Sequence, residues 1–131
     1  MDYEQVVRER RSIRGFQKKP VPKALVRDVL EIAMRAPTSL NTQPWNFYVV
    51  AGDVLDRIRE GNVERNLACV PDSREFRMGP GYEGPHRERQ IEIAKQLFAV
   101  MGIERHDKEA RMDWVLRGFR QFDAPVSIVV T

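Results

Sequence analysis

Ala36-Pro37-Thr38-Ser39-Leu40-Asn41-Thr42-Gln43-Pro44-Trp45 runs directly into Asn46-Phe47-Tyr48-Val49-Val50. The first part is a loop fenced by two prolines, and the second is apolar and β-prone, as in a strand inside a sheet. Pro37 ends a preceding helix because it lacks an N–H and restricts the residue before it. Pro44 holds Gln43 extended at the entry to the strand. Thr38, Ser39, Asn41, Thr42 and Gln43 present hydroxyls and amides without charge, which suits a neutral heteroaromatic edge or a polyol. None of them titrates near neutral pH, so the loop is unsuited to proton transfer. Taken in isolation, it also fits a helix-to-strand turn that satisfies its own backbone.

Upstream of the loop, Val21 to Arg35 reads as a helix. Pro22 stands in its first turn, and Leu25, Val26, Val29, Leu30, Ile32 and Ala33 form an apolar stripe expected to be core. Further back, Met1 to Glu9 reads as a short helix with Asp2 as N-cap and Tyr3, Val6 and Val7 on one side. Between the two helices lies Arg10-Arg11-Ser12-Ile13-Arg14-Gly15-Phe16. In an extended chain Arg10, Ser12 and Arg14 share one side while Ile13 and Phe16 anchor. Two guanidiniums and a hydroxyl so placed make a phosphate grip, since arginine offers forked, permanently charged donors. A solvated basic turn, or a contact to a nucleic-acid backbone, fits the same residues.

Downstream, a helix starts near Asp53 with Val54, Leu55 and Ile58 inward, and Gly61-Asn62 is expected to weaken or end it. Val70 to Pro85 is irregular, a loop of about fifteen residues expected to be a lid or mobile edge. Gly79-Pro80-Gly81 is no dinucleotide loop, because no strand precedes it and the proline removes an amide. His86 to Met101 resumes a helix that Gly102 ends. Asp107 caps another through Arg120, with Met112, Val115, Leu116 and Phe119 inward. Asp123-Ala124-Pro125 breaks the chain before a last apolar strand, Val126 to Thr131.

At 131 residues, 42% hydrophobic and 31% charged, this is one ordinary globular domain's worth of chain. No apolar run reaches the roughly 18 residues of a membrane span, and no signal-peptide core is seen, so no membrane partner is expected. One cysteine, Cys69, excludes an internal disulfide framework and is consistent with a reducing cytoplasm. With His86 and His106 it makes a poor metal set, and no metal is expected. The net charge of +3 is local: residues 1–23 hold seven Lys/Arg against three Asp/Glu, the rest fifteen against sixteen. A local anion site fits that better than a nucleic-acid surface. Ser39 lacks a nucleophile elbow and Cys69 an activating partner, so no side chain is named as catalytic.

The basic segment and the polar loop, in that order and about 25 residues apart, resemble the FMN-dependent nitroreductase family. Gly79 to Pro125 is similar to its nitrobenzoate-reductase-like subgroup, which has an extra helical region before the Ala-Pro strand. The resemblance implies an α+β sandwich with a central, mostly antiparallel sheet flanked by helices. One domain would cover 1–131, with residues 70–120 as a loop and helical excursion. It implies FMN as cofactor, NAD(P)H as electron donor, and ping-pong hydride transfer to a nitroaromatic or quinone-like acceptor. Arg10, Ser12 and Arg14 would contact the FMN phosphate, ribityl chain or ring edge, with Arg11 beside them through its backbone. Pro37, Thr38, Ser39 and Asn41 would approach the ring from the partner subunit of a homodimer, with Gln43 ordering the loop. A further basic or amide contact would come from the helix before the second strand, where Arg117 and Arg120 stand; an asparagine is commoner near there in the family, and this chain has Gly118. Family members run to about 200 residues, and their C-terminal half supplies a glycine-bearing turn and a basic phosphate contact. The expectation is therefore an N-terminal portion of a larger fold, or a chain completed by another polypeptide. Related flavoenzymes (a reductive dehalogenase or a ring dehydrogenase) share both motifs. A non-enzymatic phosphate or nucleic-acid module would use only the basic segment.

Overall fold

The two apolar runs find each other across most of the sequence. In the computed structural model, which describes residues 2–73, 79 and 81–131, β1 (Phe47–Ala51) pairs antiparallel with β2 (Val126–Val130). The register sets Phe47 opposite Val130 and Ala51 opposite Val126. Asn46 and Thr131 extend the ladder, Asn46 N donating to Thr131 O at 2.6 Å and Thr131 N to Asn46 O at 3.1 Å. Among the described residues the helices are α1 (Tyr3–Glu9), α2 (Lys23–Ala33), α3 (Gly52–Leu67), α4 (Gly84–Val100) and α5 (Lys108–Phe119), of which α3 packs on the sheet. No helix among the described residues is long and apolar enough to cross a membrane.

The helix ends follow local chemistry. Asp2 Oδ1 accepts from Gln5 N at 2.8 Å to start α1, and Asp107 Oδ1 accepts from Ala110 N at 2.9 Å to start α5. Gly102, at φ +66°, ends α4 in the left-handed conformation that glycine adopts without a Cβ clash. The helix after β1 departs from the sequence reading. α3 runs unbroken through Gly61-Asn62 to Leu67, because tertiary contacts offset the helix penalty of that pair. Asn62 Nδ2 donates to Phe119 O at 3.2 Å, and α3 packs against both strands and α5. Of the expected lid, residues 74–78 and Pro80 lie outside the described residues.

The core is small and centred on α3. Leu55 is 1% exposed and Ala124, just before β2, is nearly as buried. Beside them Arg59, whose side chain is only 14% exposed, is shared between three acceptors. Its Nε donates to Arg120 O at 2.9 Å, its Nη2 to Ala124 O, and its Nη1 to Asp56 Oδ1 at 2.8 Å. One guanidinium thus ties α3 to both sides of the α5–β2 connection. Several expected core stripes are not covered. Leu25, Val29 and Ile32 on α2, and Met112, Val115 and Phe119 on α5, are exposed, whereas Val26, Leu30 and Leu116 are half-buried. On α3, too, Val54 and Ile58 are exposed and only Leu55 of the expected inward set is buried; periodicity marks an apolar stripe but not what lies against it.

Arg59→Ala removes a charged donor from two part-buried carbonyls and should lower unfolding stability by about 2–4 kcal/mol. Urea unfolding followed by far-UV circular dichroism checks this. An unchanged midpoint would mean that water replaces the guanidinium without loss.

Candidate functional site

The basic segment leaves α1 at Arg10, whose backbone N–H donates to Val6 O at 3.1 Å and closes the helix. Arg11 folds back on the helix end. Its Nη1 donates to Arg8 O at 2.9 Å and Arg10 O at 3.0 Å, satisfying carbonyls the helix leaves open. Residues 10–16 are all exposed and form neither helix nor strand, so Ile13 and Phe16, expected to anchor the segment, are not buried. Among the described residues, neither Arg10 nor Arg14 forms an ion pair with a carboxylate, so their N–H donors are open to an incoming anion.

The polar loop is built by its own side chains. Gln43 N donates to Thr38 Oγ1 at 3.1 Å, and Gln43 Nε2 donates to Asn41 Oδ1 at 3.1 Å. Asn41 N and Thr42 N donate back to Thr38 O and Ser39 O, each at 3.1 Å, closing one tight turn. Leu40, Asn41 and Gln43 take left-handed φ of 51°, 55° and 47°. Asparagine tolerates that region, whereas leucine adopts it only under constraint. Gln43 is therefore not held extended before Pro44 as expected; its own bonds to Thr38 and Asn41 turn it back into the loop. The internal bonds that hold this geometry come from Thr38 and Gln43, so Gln43 orders the loop. Ser39 and Asn41 stay exposed, and Leu40 at the tip is 95% exposed. Trp45 and Phe47 then stack tilted, centroids 6.3 Å apart, where the loop enters β1.

The sequence-predicted residues therefore gather in two groups. Thr38, Asn41 and Gln43 are joined in the loop, whereas Arg14 is joined to α5. Arg117 Nη2 donates to Arg14 O at 3.1 Å, and the Arg14 guanidinium lies 5.7 Å from the Phe122 ring centroid. Arg120 faces its own neighbours, Nε with Asp123 Oδ1 at 3.3 Å and Nη2 with Asp113 Oδ1 at 3.4 Å. Among the described residues no hydrogen bond or ring contact joins the basic segment to the polar loop. Two clefts lie nearby, one of about 810 Å³ by Lys18, Asp56 and Asp123, the other of about 620 Å³ between α2 and the sheet. Neither is lined by residues of the two motifs. Sequence reasoning missed Arg59, Trp114 and Phe122, since their roles depend on partners distant along the chain.

The donor set fits a flavin mononucleotide. Among the described residues Arg10 and Arg14 have no carboxylate partner, and Ser39 and Asn41 offer neutral donors and acceptors from a loop with its own hydrogen bonds. The family assignment agrees: residues 7–131 match the nitroreductase family model, and the chain belongs to that family. It is 40% identical over 129 residues to a nitrobenzene nitroreductase of Ectopseudomonas oleovorans, covering 96% of this chain and 56% of that protein. It is 34% identical to a 4-nitrobenzoate reductase of a Nocardioides species, covering 98% of this chain and 54% of that protein. The fold is similar to that of the FMN-dependent nitroreductase NfnB from Mycobacterium smegmatis in complex with NADPH. That match has a TM-score of 0.85 at 30% identity, over 97% of this chain and 57% of the other. The chain spans about half the length of the curated relatives it matches.

Thr38→Val removes the acceptor of the Gln43 amide while keeping the side-chain shape. Amide exchange at Gln43 should accelerate roughly 5-fold, corresponding to about 1 kcal/mol. Exchange at the wild-type rate would show that the loop is held by other means.

Proposed function

We propose that this chain carries the FMN-binding elements of an oxidoreductase that passes electrons from NAD(P)H to a nitroaromatic or quinone-like acceptor. The observation that carries the reading is that a member of the nitroreductase family holds both a basic segment, whose Arg10 and Arg14 have no carboxylate partner among the described residues, and a neutral polar loop ordered by its own hydrogen bonds. The names of the relatives, a nitrobenzene nitroreductase and a 4-nitrobenzoate reductase, favour nitroaromatic acceptors. When bound, FMN supplies two-electron transfer between a nicotinamide donor and an electron-poor acceptor.

The roles of the protein follow from its donors. Arg10 and Ser12 hold the phosphate and ribityl chain, with the Arg11 backbone beside them. Arg14 presents positive charge at the ring edge, where it favours accumulation of negative charge. Pro37, Thr38, Ser39 and Asn41 face the ring, and the pre-set turn lets their groups bind without further ordering. Among the described residues no hydrogen bond or ring contact joins the polar loop to the basic segment of its own chain, which favours a homodimer in which each loop completes its partner's site. A cytoplasmic location is in keeping with an exposed free thiol at Cys69.

The test is titration of the purified chain with FMN, read at the flavin bands near about 370 and 450 nm. Saturable binding, with nicotinamide-dependent loss of a nitroaromatic such as nitrobenzene, is the expected result. A chain that binds nucleic acid with steep salt dependence and ignores FMN would contradict it. Arg10→Ala should weaken FMN binding by about 1.5–3 kcal/mol, the range for a hydrogen bond to a charged group. Unchanged affinity would remove Arg10 from the phosphate site.

A further inference from the structure

The turn between α5 and β2 has a backbone that its residues do not favour. Gln121, Phe122 and Asp123 take φ of 50°, 52° and 56° in succession, and none is glycine. Such residues persist in the left-handed region only where their surroundings over-determine them. Here a single side chain does so from both flanks: Arg59 binds Arg120 O on one side of the turn and Ala124 O on the other. Within the turn, Asp123 N donates to Arg120 O at 3.1 Å and Ala124 N to Gln121 O at 3.2 Å.

The constrained backbone delivers the Phe122 ring to one place. Its centroid lies 6.1 Å from that of the Trp114 ring and 5.7 Å from the Arg14 guanidinium. The Arg117 guanidinium lies 5.3 Å from the Trp114 ring, and its Nη2 donates to Arg14 O. The contacts close a circuit from the Arg14 guanidinium through Phe122, Trp114 and Arg117 to the Arg14 carbonyl. Both the backbone and the side chain of Arg14 are held, within a segment that otherwise lies exposed outside any helix or strand.

We propose that the Gln121–Asp123 turn, clamped by Arg59, is a mount that presents Arg14 to the cofactor, with Phe122 and Arg117 as positioning residues. Arg117 then acts through Arg14 instead of touching the cofactor. The consequence for FMN rests on the flavin reading above, whereas the mount itself is a property of the free chain. An arginine held in its binding direction loses less freedom when the anion arrives. A cation over an aromatic face also keeps the guanidinium edge free to donate.

Two readouts test this. The first needs no cofactor: tryptic cleavage after Arg14 in the free chain. Phe122→Leu keeps apolar bulk but loses the ring face, and Arg117→Gln loses the charge over Trp114 and the donor to Arg14. Each should speed cleavage after Arg14 roughly 2- to 30-fold, the span of one cation–π contact, with the unfolding midpoint unchanged. Phe122→Trp should restore the slow rate. The second readout is FMN affinity in a double-mutant cycle. Phe122→Leu should weaken binding by a similar factor when Arg14 is present, and have little effect in an Arg14→Ala background. Unchanged cleavage after Arg14 in both variants would overturn the mount, and so would an equal loss of FMN affinity with and without Arg14. Faster cleavage in a chain that never binds FMN would support the mount and overturn the flavin reading instead. If Phe122→Leu fails to fold, Arg117→Gln carries both comparisons from the half-buried surface of α5.

Discussion

The arrangement of the molecule depends on the Arg59 guanidinium. It emerges from the middle of α3, the helix that carries the fully buried Leu55 and packs on both strands. Its bonds to Arg120 O and Ala124 O fix where α5 ends and where β2 begins. β2 then pairs with β1 in one register, and β1 is the strand into which the polar loop runs. A planar fork with several donors can span two carbonyls four residues apart, which lysine could not do with comparable geometry. The same bonds hold the turn that carries Phe122, so the small core and the basic segment are linked through one side chain.

The two halves of the candidate site illustrate two ways of ordering a recognition element. The polar loop is ordered locally by Thr38, Asn41 and Gln43, within six residues of one another. In the basic segment, Arg14 is instead contacted by Arg117 and Phe122, residues brought to it only by the tertiary fold. Local ordering survives in a chain with little core, whereas remote ordering is only as good as the clamp that mounts it. This places much of the site's dependence on α3, although α3 contributes none of its recognition groups.

What could be read from the sequence divides along the same line. The Asp2 and Asp107 caps, the Gly102 stop, both strands and the proline-fenced loop were legible, because each is set by residues within a few positions. The continuity of α3 through Gly61-Asn62 was not, since a bond from Asn62 to Phe119 on another helix outweighs local propensity. The apolar stripes of α2 and α5 were legible, yet Val29, Ile32 and Phe119 are exposed, because periodicity says nothing about the opposing surface. Within the candidate site, the exposed, irregular course of residues 10–16 is consistent with the extended reading of Arg10, Ser12 and Arg14. The orientation of Arg117 toward Arg14 was not legible, as it spans more than a hundred positions. A left-handed run at Gln121–Asp123 carries no sequence mark either, since none of its residues is glycine.

The central claim is that FMN is held by residues 10–14 together with the polar loop. The most direct measurement is a residue-resolved amide spectrum of this chain recorded before and after addition of FMN. The account predicts shifts concentrated at Arg10 to Phe16 and at Thr38 to Gln43, with smaller changes at Arg117 and Phe122. Shifts confined to the cleft near Lys18, Asp56 and Asp123, or none at either motif, would contradict it.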